Sequence, residues 1–239
     1  MIENYKREVL DHGFARLVSY MQPANPEAEC NDGWFGDLEV VRNARVSYDA
    51  DWRTGDESKD EKLINFLYSN RHTSPFEAMV FTFEVKAPIF VLRQWHRHRT
   101  WSYNEVSARY TELPEEFYIP TLANITTQHS SNKQMRTDEQ HPNADQIAEL
   151  MKSHNMEAFR IYKGMLKEGA PRELARSVLP LATYSRMFAT VDLHNLFHFC
   201  RLRMHEHAQY EIRVYAEALL ALIEPICPFA VAAFKESLA

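Results

Sequence analysis

Val80-Phe-Thr-Phe-Glu-Val-Lys-Ala-Pro88, followed at once by Ile89-Phe-Val-Leu-Arg-Gln-Trp-His96, decides how this chain of 239 residues folds. Phe81, Phe83 and Val85 alternate with Thr82, Glu84 and Lys86, the period-2 pattern of a strand with one buried face. Pro88 ends the strand, and its fixed φ suits the first turn of a helix that Ile89, Val91 and Leu92 carry towards His96. Upstream, apolar residues at helical spacing predict helices over Leu38–Val46 and Glu61–Leu67, separated by an Asp-rich loop around Asp51–Asp60. Downstream, the polar stretch Asn124–Asn143 keeps neither period and reads as an exposed, poorly ordered loop. Ile147 to Leu166 then reads as one long helix, closed by Gly169 and Pro171. A helix over Pro171–Ser177, a strand over Arg186–Val191 and helices over His194–Met204 and Tyr210–Ile226 complete the pattern. Helices outnumber strands and no βαβ rhythm is present, so the expected class is α+β: a single domain over residues 1–239, with a central, mostly antiparallel sheet wrapped by helices.

Bulk properties narrow the function. A net charge of -6 argues against a protein that coats DNA or RNA, which presents a basic face to phosphates. Cys30, Cys200 and Cys227 are odd in number and form no CxxC pair, which fits a reducing compartment. Charges interrupt the N-terminus where an export signal needs an apolar run, and the apolar stretch Ala216–Ile223 is broken by Glu217. A soluble, cytoplasmic protein is expected.

The densest polar cluster is Arg93-Gln-Trp-His-Arg-His-Arg99, continuing through Trp101, Tyr103, Asn104, Glu105, Val106, Ser107, Ala108, Arg109 and Tyr110. Arginine offers a permanently charged planar fork that suits phosphate and carboxylate, and each charge-assisted bond contributes about 1.5–3 kcal/mol. A solvated basic stripe is the plain alternative. Yet the cluster is interleaved with tryptophan and tyrosine and abuts Ile89-Phe-Val-Leu92, so some arginines approach buried surface and need fixed partners.

Arg97-His98-Arg99, then seven residues, then Ser107 resembles the RHR-x7-S signature of flavin-dependent thymidylate synthases. The likeness runs collinearly through His72-Thr-Ser-Pro-Phe-Glu77, Pro171–Pro180 and Thr190–Gln209. It implies that dUMP is methylated to dTMP, with methylene-tetrahydrofolate as carbon donor and NADPH-reduced FAD as hydride source. The resemblance places FAD at His72, Ser74, Arg97, His98, Arg99, Asn104, Glu105, Asp192, His194 and His198. It places dUMP at Gln94, Trp95, His96, Arg97, Glu105, Val106, Ser107, Ala108, Arg109, Arg176 and Arg203. Arg203 is similar to the arginine that stabilises a deprotonated uracil N3, so it is the expected catalytic residue. The chain departs from the family pattern at Asp192, His194 and His198, where Asn, Arg and Asn can stand. A homotetramer with shared sites is also implied.

Two rivals stay in view. His194, His198, His205 and His207 near Glu206 and Glu211 suggest a metal-dependent hydrolase, with His194 and His198 on one helical face, but no HExxH-type spacing is present. The interleaved Arg, Trp and Tyr suggest a nucleotide- or RNA-binding module, which the acidic charge disfavours. With six glycines and no GxGxxG, a Rossmann dehydrogenase is disfavoured too. Nothing beside Cys227 would lower its pKa, so it reads as a buried thiol and not a nucleophile.

Overall fold

A computed structural model describes residues 5–22, 35–48 and 56–238. Cys30 and residues 51–55 of the Asp-rich loop lie outside the described residues. The main sheet holds β1 (Lys6–Val9), β2 (Gly13–Tyr20), β3 (Val80–Pro88), β4 (Ser102–Glu105) and β7 (Tyr184–Asp192) in the order β1-β2-β3-β7-β4, every neighbouring pair antiparallel. Around it lie α1 (Phe35–Arg45), α2 (Glu57–Ser69), α3 (Ser74–Glu77), α4 (Ile89–Trp95), α5 (Ala144–Lys167), α6 (Arg172–Ala175), α7 (Leu193–Arg203), α8 (Tyr210–Ile223) and α9 (Pro228–Glu236). The α+β expectation is met by this arrangement.

The centre is the β3–β7 pair, in register from Val80 opposite Asp192 to Pro88 opposite Tyr184. Phe81, Phe83, Val85, Met187, Ala189 and Val191 are buried, as the alternation requires. Because the strands are antiparallel, the helices that follow them directly begin at opposite ends of the sheet. At 1.5 Å per residue α4 and α7 are roughly 10 and 16 Å long, together close to the roughly 30 Å of a nine-residue strand. Their C-terminal ends therefore meet, and the site is built there.

Several elements depart from the sequence pattern. The β1–β2 hairpin carries small residues at its inward positions, Gly13 and Ala15, so no apolar alternation marks it. A Cβ on Gly13 would lie 2.0 Å from the Tyr215 hydroxyl, so bulk is excluded there. The end of the Asp-rich segment is helical instead of loop: Asp56 caps α2 by accepting from the Lys59 N–H at 2.9 Å, and Asp60 is buried against Arg45. Asn124–Asn143 is not a featureless loop. It forms a two-stranded sheet of β5 (Thr126–Gln128) and β6 (Arg136–Gln140), held partly by Thr127 and Thr137 hydroxyls 2.6 Å apart. Finally, α9 begins at Pro228 with its first amides bonded to the buried carboxylate of Asp37, at 2.8 Å from Phe229 and 3.0 Å from Ala230. Burial pushes the Asp37 pKa up to about 7 despite those two bonds.

Candidate active site

Three adjoining regions collect the residues singled out from sequence. The first is a cavity of about 770 Å³ between the end of α2, α3 and α7, lined by His72, His194 and His198 with Phe76, Phe197 and Arg71 among others. Arg71 holds a left-handed backbone, φ 57°, and has no ion pair among the described residues. Among the described residues, Glu236 is the one carboxylate lining this cavity. Asp192 is not among its lining residues. Its carboxylate caps α7, accepting from the Asn195 backbone at 2.9 Å and side chain at 2.7 Å. Ser74 is exposed on the first turn of α3, two residues past His72.

The second region is a cleft of about 610 Å³ between α4, β4 and the α6 segment, lined by His96, Glu105, Val106, Ala108 and Arg176, with Arg93 beside them. Glu105 accepts from the Ser185 hydroxyl at 2.6 Å and lies 4.0 Å from His96 Nε2. The turn after β4 is closed by Ser107, whose Oγ accepts from the Arg109 amide at 3.3 Å. Arg109 reaches Glu173 at 3.4 Å, an exposed pair that a competing anion can displace at little cost.

The third region joins the other two. Arg203, half-buried in the last turn of α7, donates from Nε to His98 Nε2 at 3.0 Å and from Nη2 to the Gln94 carbonyl at 3.2 Å. Arg203 Nε can only donate, so His98 Nε2 accepts and the imidazole is neutral with its proton on Nδ1. The His98 ring lies 6.2 Å from that of His198 in the cavity and 4.8 Å from Phe199. Burial and nearby Arg97 lower the pKa of Arg203. Among the described residues, Arg93, Arg97, Arg99, Arg176 and Arg203 pair with no carboxylate. Cations without a carboxylate partner in the cleft, Arg93 and Arg176, and at the junction, Arg97 and Arg203, call for an anionic ligand.

Trp95, expected as a nucleotide contact, has its side chain in the core. Its ring is fully buried, stacked on Phe199 at 4.8 Å between centroids, so only its backbone faces the junction. Asn104 is exposed on β4, opposite Phe188. Among the described residues no group of three or more His, Cys, Asp or Glu side chains is placed to hold a metal ion. Cys200 and Cys227 are buried, with pKa values raised chiefly by that burial. No helix among the described residues is long and apolar enough to cross a membrane.

The family model described as thymidylate synthase complementing protein matches residues 34–229. The chain belongs to the flavin-dependent thymidylate synthase family. A flavin-dependent thymidylate synthase of Treponema denticola is 45% identical over 230 residues, covering 95% of this chain and 81% of its own length. One from Thermus thermophilus is also 45% identical over 230 residues, 96% of this chain and 78% of its own. Among solved structures, the UMP/dUMP methylase PolB of Streptomyces cacaoi, bound with 5-Br dUMP, superposes with a TM-score of 0.82 at 33% identity, covering 96% of this chain and 97% of that one.

Within this thymidylate synthase frame, His98 makes a pH-dependent contribution that can be measured. Burial first, then Arg203 and His198, push its pKa down from 6.5 to about 4. Between those values the unfolded chain binds a proton that the folded chain refuses, so stability falls as pH drops from about 6.5 to about 4. The thermal midpoint of His98→Gln, which can still accept from Arg203, is expected to fall less than that of the parent across this window. Identical pH profiles would show that His98 is not the group responsible.

The sequence pattern missed Arg71 and Arg201 in the cavity, and Gln209, Glu211 and Arg136 beyond the junction. Arg201 and Gln209 carried a signal, lying within the Thr190–Gln209 likeness, and Glu211 stood beside the histidines weighed as metal ligands.

Proposed function

We propose that the chain methylates dUMP to dTMP, with methylene-tetrahydrofolate as one-carbon donor and NADPH-reduced FAD as hydride source. The observation that carries this is the junction itself: Arg203 is half-buried, fixed by His98 and the Gln94 carbonyl, and without a carboxylate. A guanidinium so held stabilises negative charge that develops on a bound ring, and here the charge is that of uracil deprotonated at N3. Ser107, the Ala108 amide, Arg109 and Arg176 bind the nucleotide phosphate at the cleft, which fixes the register of the base against Arg203.

The cavity residues suit a flavin dinucleotide. Phe76 and Phe197 offer apolar surface, Arg71 and Arg201 offer charge to a pyrophosphate, and His72, His194 and His198 offer ring donors, all around a volume in the range of small-molecule sites. When bound, FAD supplies the hydride that completes the methyl group. Arg97, His98 and Arg99 hold nucleotide and cofactor together. The working form is a homotetramer whose sites are shared between subunits.

The test is spectroscopic. The purified protein is expected to show a flavin absorption band that NADPH bleaches under anaerobic conditions, faster with dUMP present. A colourless protein that FAD cannot reconstitute would falsify the proposal.

A further inference from the structure

A chain of hydrogen bonds leads away from the junction to the β5–β6 hairpin. Glu211, buried in the first turn of α8, accepts from the Tyr118 hydroxyl at 3.1 Å, from Arg136 Nη2 at 3.0 Å and from Gln209 Nε2 at 2.8 Å. Arg136 is itself anchored: Nη1 donates to the Asn124 carbonyl at 3.1 Å and the guanidinium lies over the Tyr210 ring, 5.6 Å from its centroid. Gln209 in turn accepts, through Oε1, a bond from Gln94 Nε2.

The polarity of this chain is not free. A carboxylate surrounded by three donors can only accept, so Gln209 must turn its NH₂ towards Glu211 and its oxygen towards Gln94. Gln94 must then turn its own NH₂ towards Gln209, which leaves its Oε1 as the acceptor available to a ligand. The backbone carbonyl of the same residue already holds Arg203. We propose that Glu211 and Gln209 are positioning residues that set the amide of Gln94, so that the site offers the bound nucleotide one fixed acceptor beside the cationic Arg203. That acceptor suits a donor on the bound nucleotide, and a ligand that presents only acceptors to it is disfavoured. The hairpin contributes by holding Glu211 through Arg136.

This inference rests on the nucleotide-binding reading of the site, and the experiment separates the two. Labelled dUMP is dialysed to equilibrium against the flavin-loaded parent, Gln209→Met, Glu211→Gln and Gln94→Ala, and against Gln94→Ala combined with each of the first two. Gln209→Met leaves the Glu211, Arg136 and Tyr118 contacts intact and cuts only the link. It is expected to weaken dUMP binding about fivefold, with flavin content and thermal midpoint as in the parent. Glu211→Gln, whose amide can face either way, is expected to weaken binding to a similar degree. In the Gln94→Ala background neither change should add more than about twofold, since the residue they act through is gone. Unaltered binding by Gln209→Met, or full additivity with Gln94→Ala, overturns the relay alone. A parent that binds no dUMP overturns the functional reading and the relay with it.

Discussion

Arg203→Ala is expected to lower the rate of dTMP formation by about 10²–10³-fold while flavin stays bound. The guanidinium is the one cation of the junction fixed by two bonds, to His98 Nε2 at 3.0 Å and the Gln94 carbonyl at 3.2 Å. Its place is therefore set before any ligand arrives, and none of its stabilisation is lost to reorganisation at the moment of reaction. Removing it leaves the cavity lining untouched, apart from freeing the His98 acceptor. Flavin absorbance together with single-turnover formation of dTMP checks both halves. Near-normal turnover would take Arg203 out of the mechanism, and loss of the flavin band would make it a cofactor ligand instead.

Trp95→Ala is expected to destabilise the fold by about 3–5 kcal/mol. The indole is fully buried, stacked on Phe199 and edge-on to Trp101 and Tyr215, at 4.8, 5.8 and 6.0 Å between centroids. Its ring N–H has no hydrogen-bond partner, so Trp95→Phe forfeits no bond and should cost far less than the alanine change. Phe199 also carries the ring of His98, so the cavity left by alanine opens directly behind the group that holds Arg203. Urea unfolding midpoints of the two variants make the comparison. Equal, small losses would mean that the indole is not a packing element.

Where the residue pattern was periodic, the fold was legible. Phe81, Phe83 and Val85 announce β3 because one face of that strand is buried and the other is not. Gly13 and Ala15 announce nothing, although they occupy equivalent inward positions, because Tyr215 fills the space that larger side chains would take. The start of α9 is equally silent: its capping carboxylate, Asp37, lies 193 residues from Ala230, far outside any local window. The β5–β6 hairpin is held by polar pairs such as Thr127 with Thr137, which leave no hydrophobic period.

The site shows the same division. Arg97, His98 and Arg99 were visible as a compact motif, whereas sequence adjacency could not tell that Trp95 turns inward while His96 beside it lines the cleft. Glu211 joins the site through Gln209, whose partner Gln94 lies 115 residues away in sequence, and is held in place by bonds spanning 75 residues to Arg136 and 93 to Tyr118. His194 and His198, considered as metal ligands, instead share a cavity with His72.

The direct passage of β3 into α4 and of β7 into α7 leaves no slack between scaffold and chemistry. Deleting one residue within Val80–Pro88 would reverse the faces of the strand and turn α4 by about 100° relative to the sheet, carrying Gln94 away from Arg203. The same holds for a deletion within Tyr184–Asp192 and the placement of α7. These two segments can therefore diversify by exchanging side chains but not by changing length. Drift in chain length among relatives must be absorbed elsewhere, in connections that bear no rigid relation to the central strand pair.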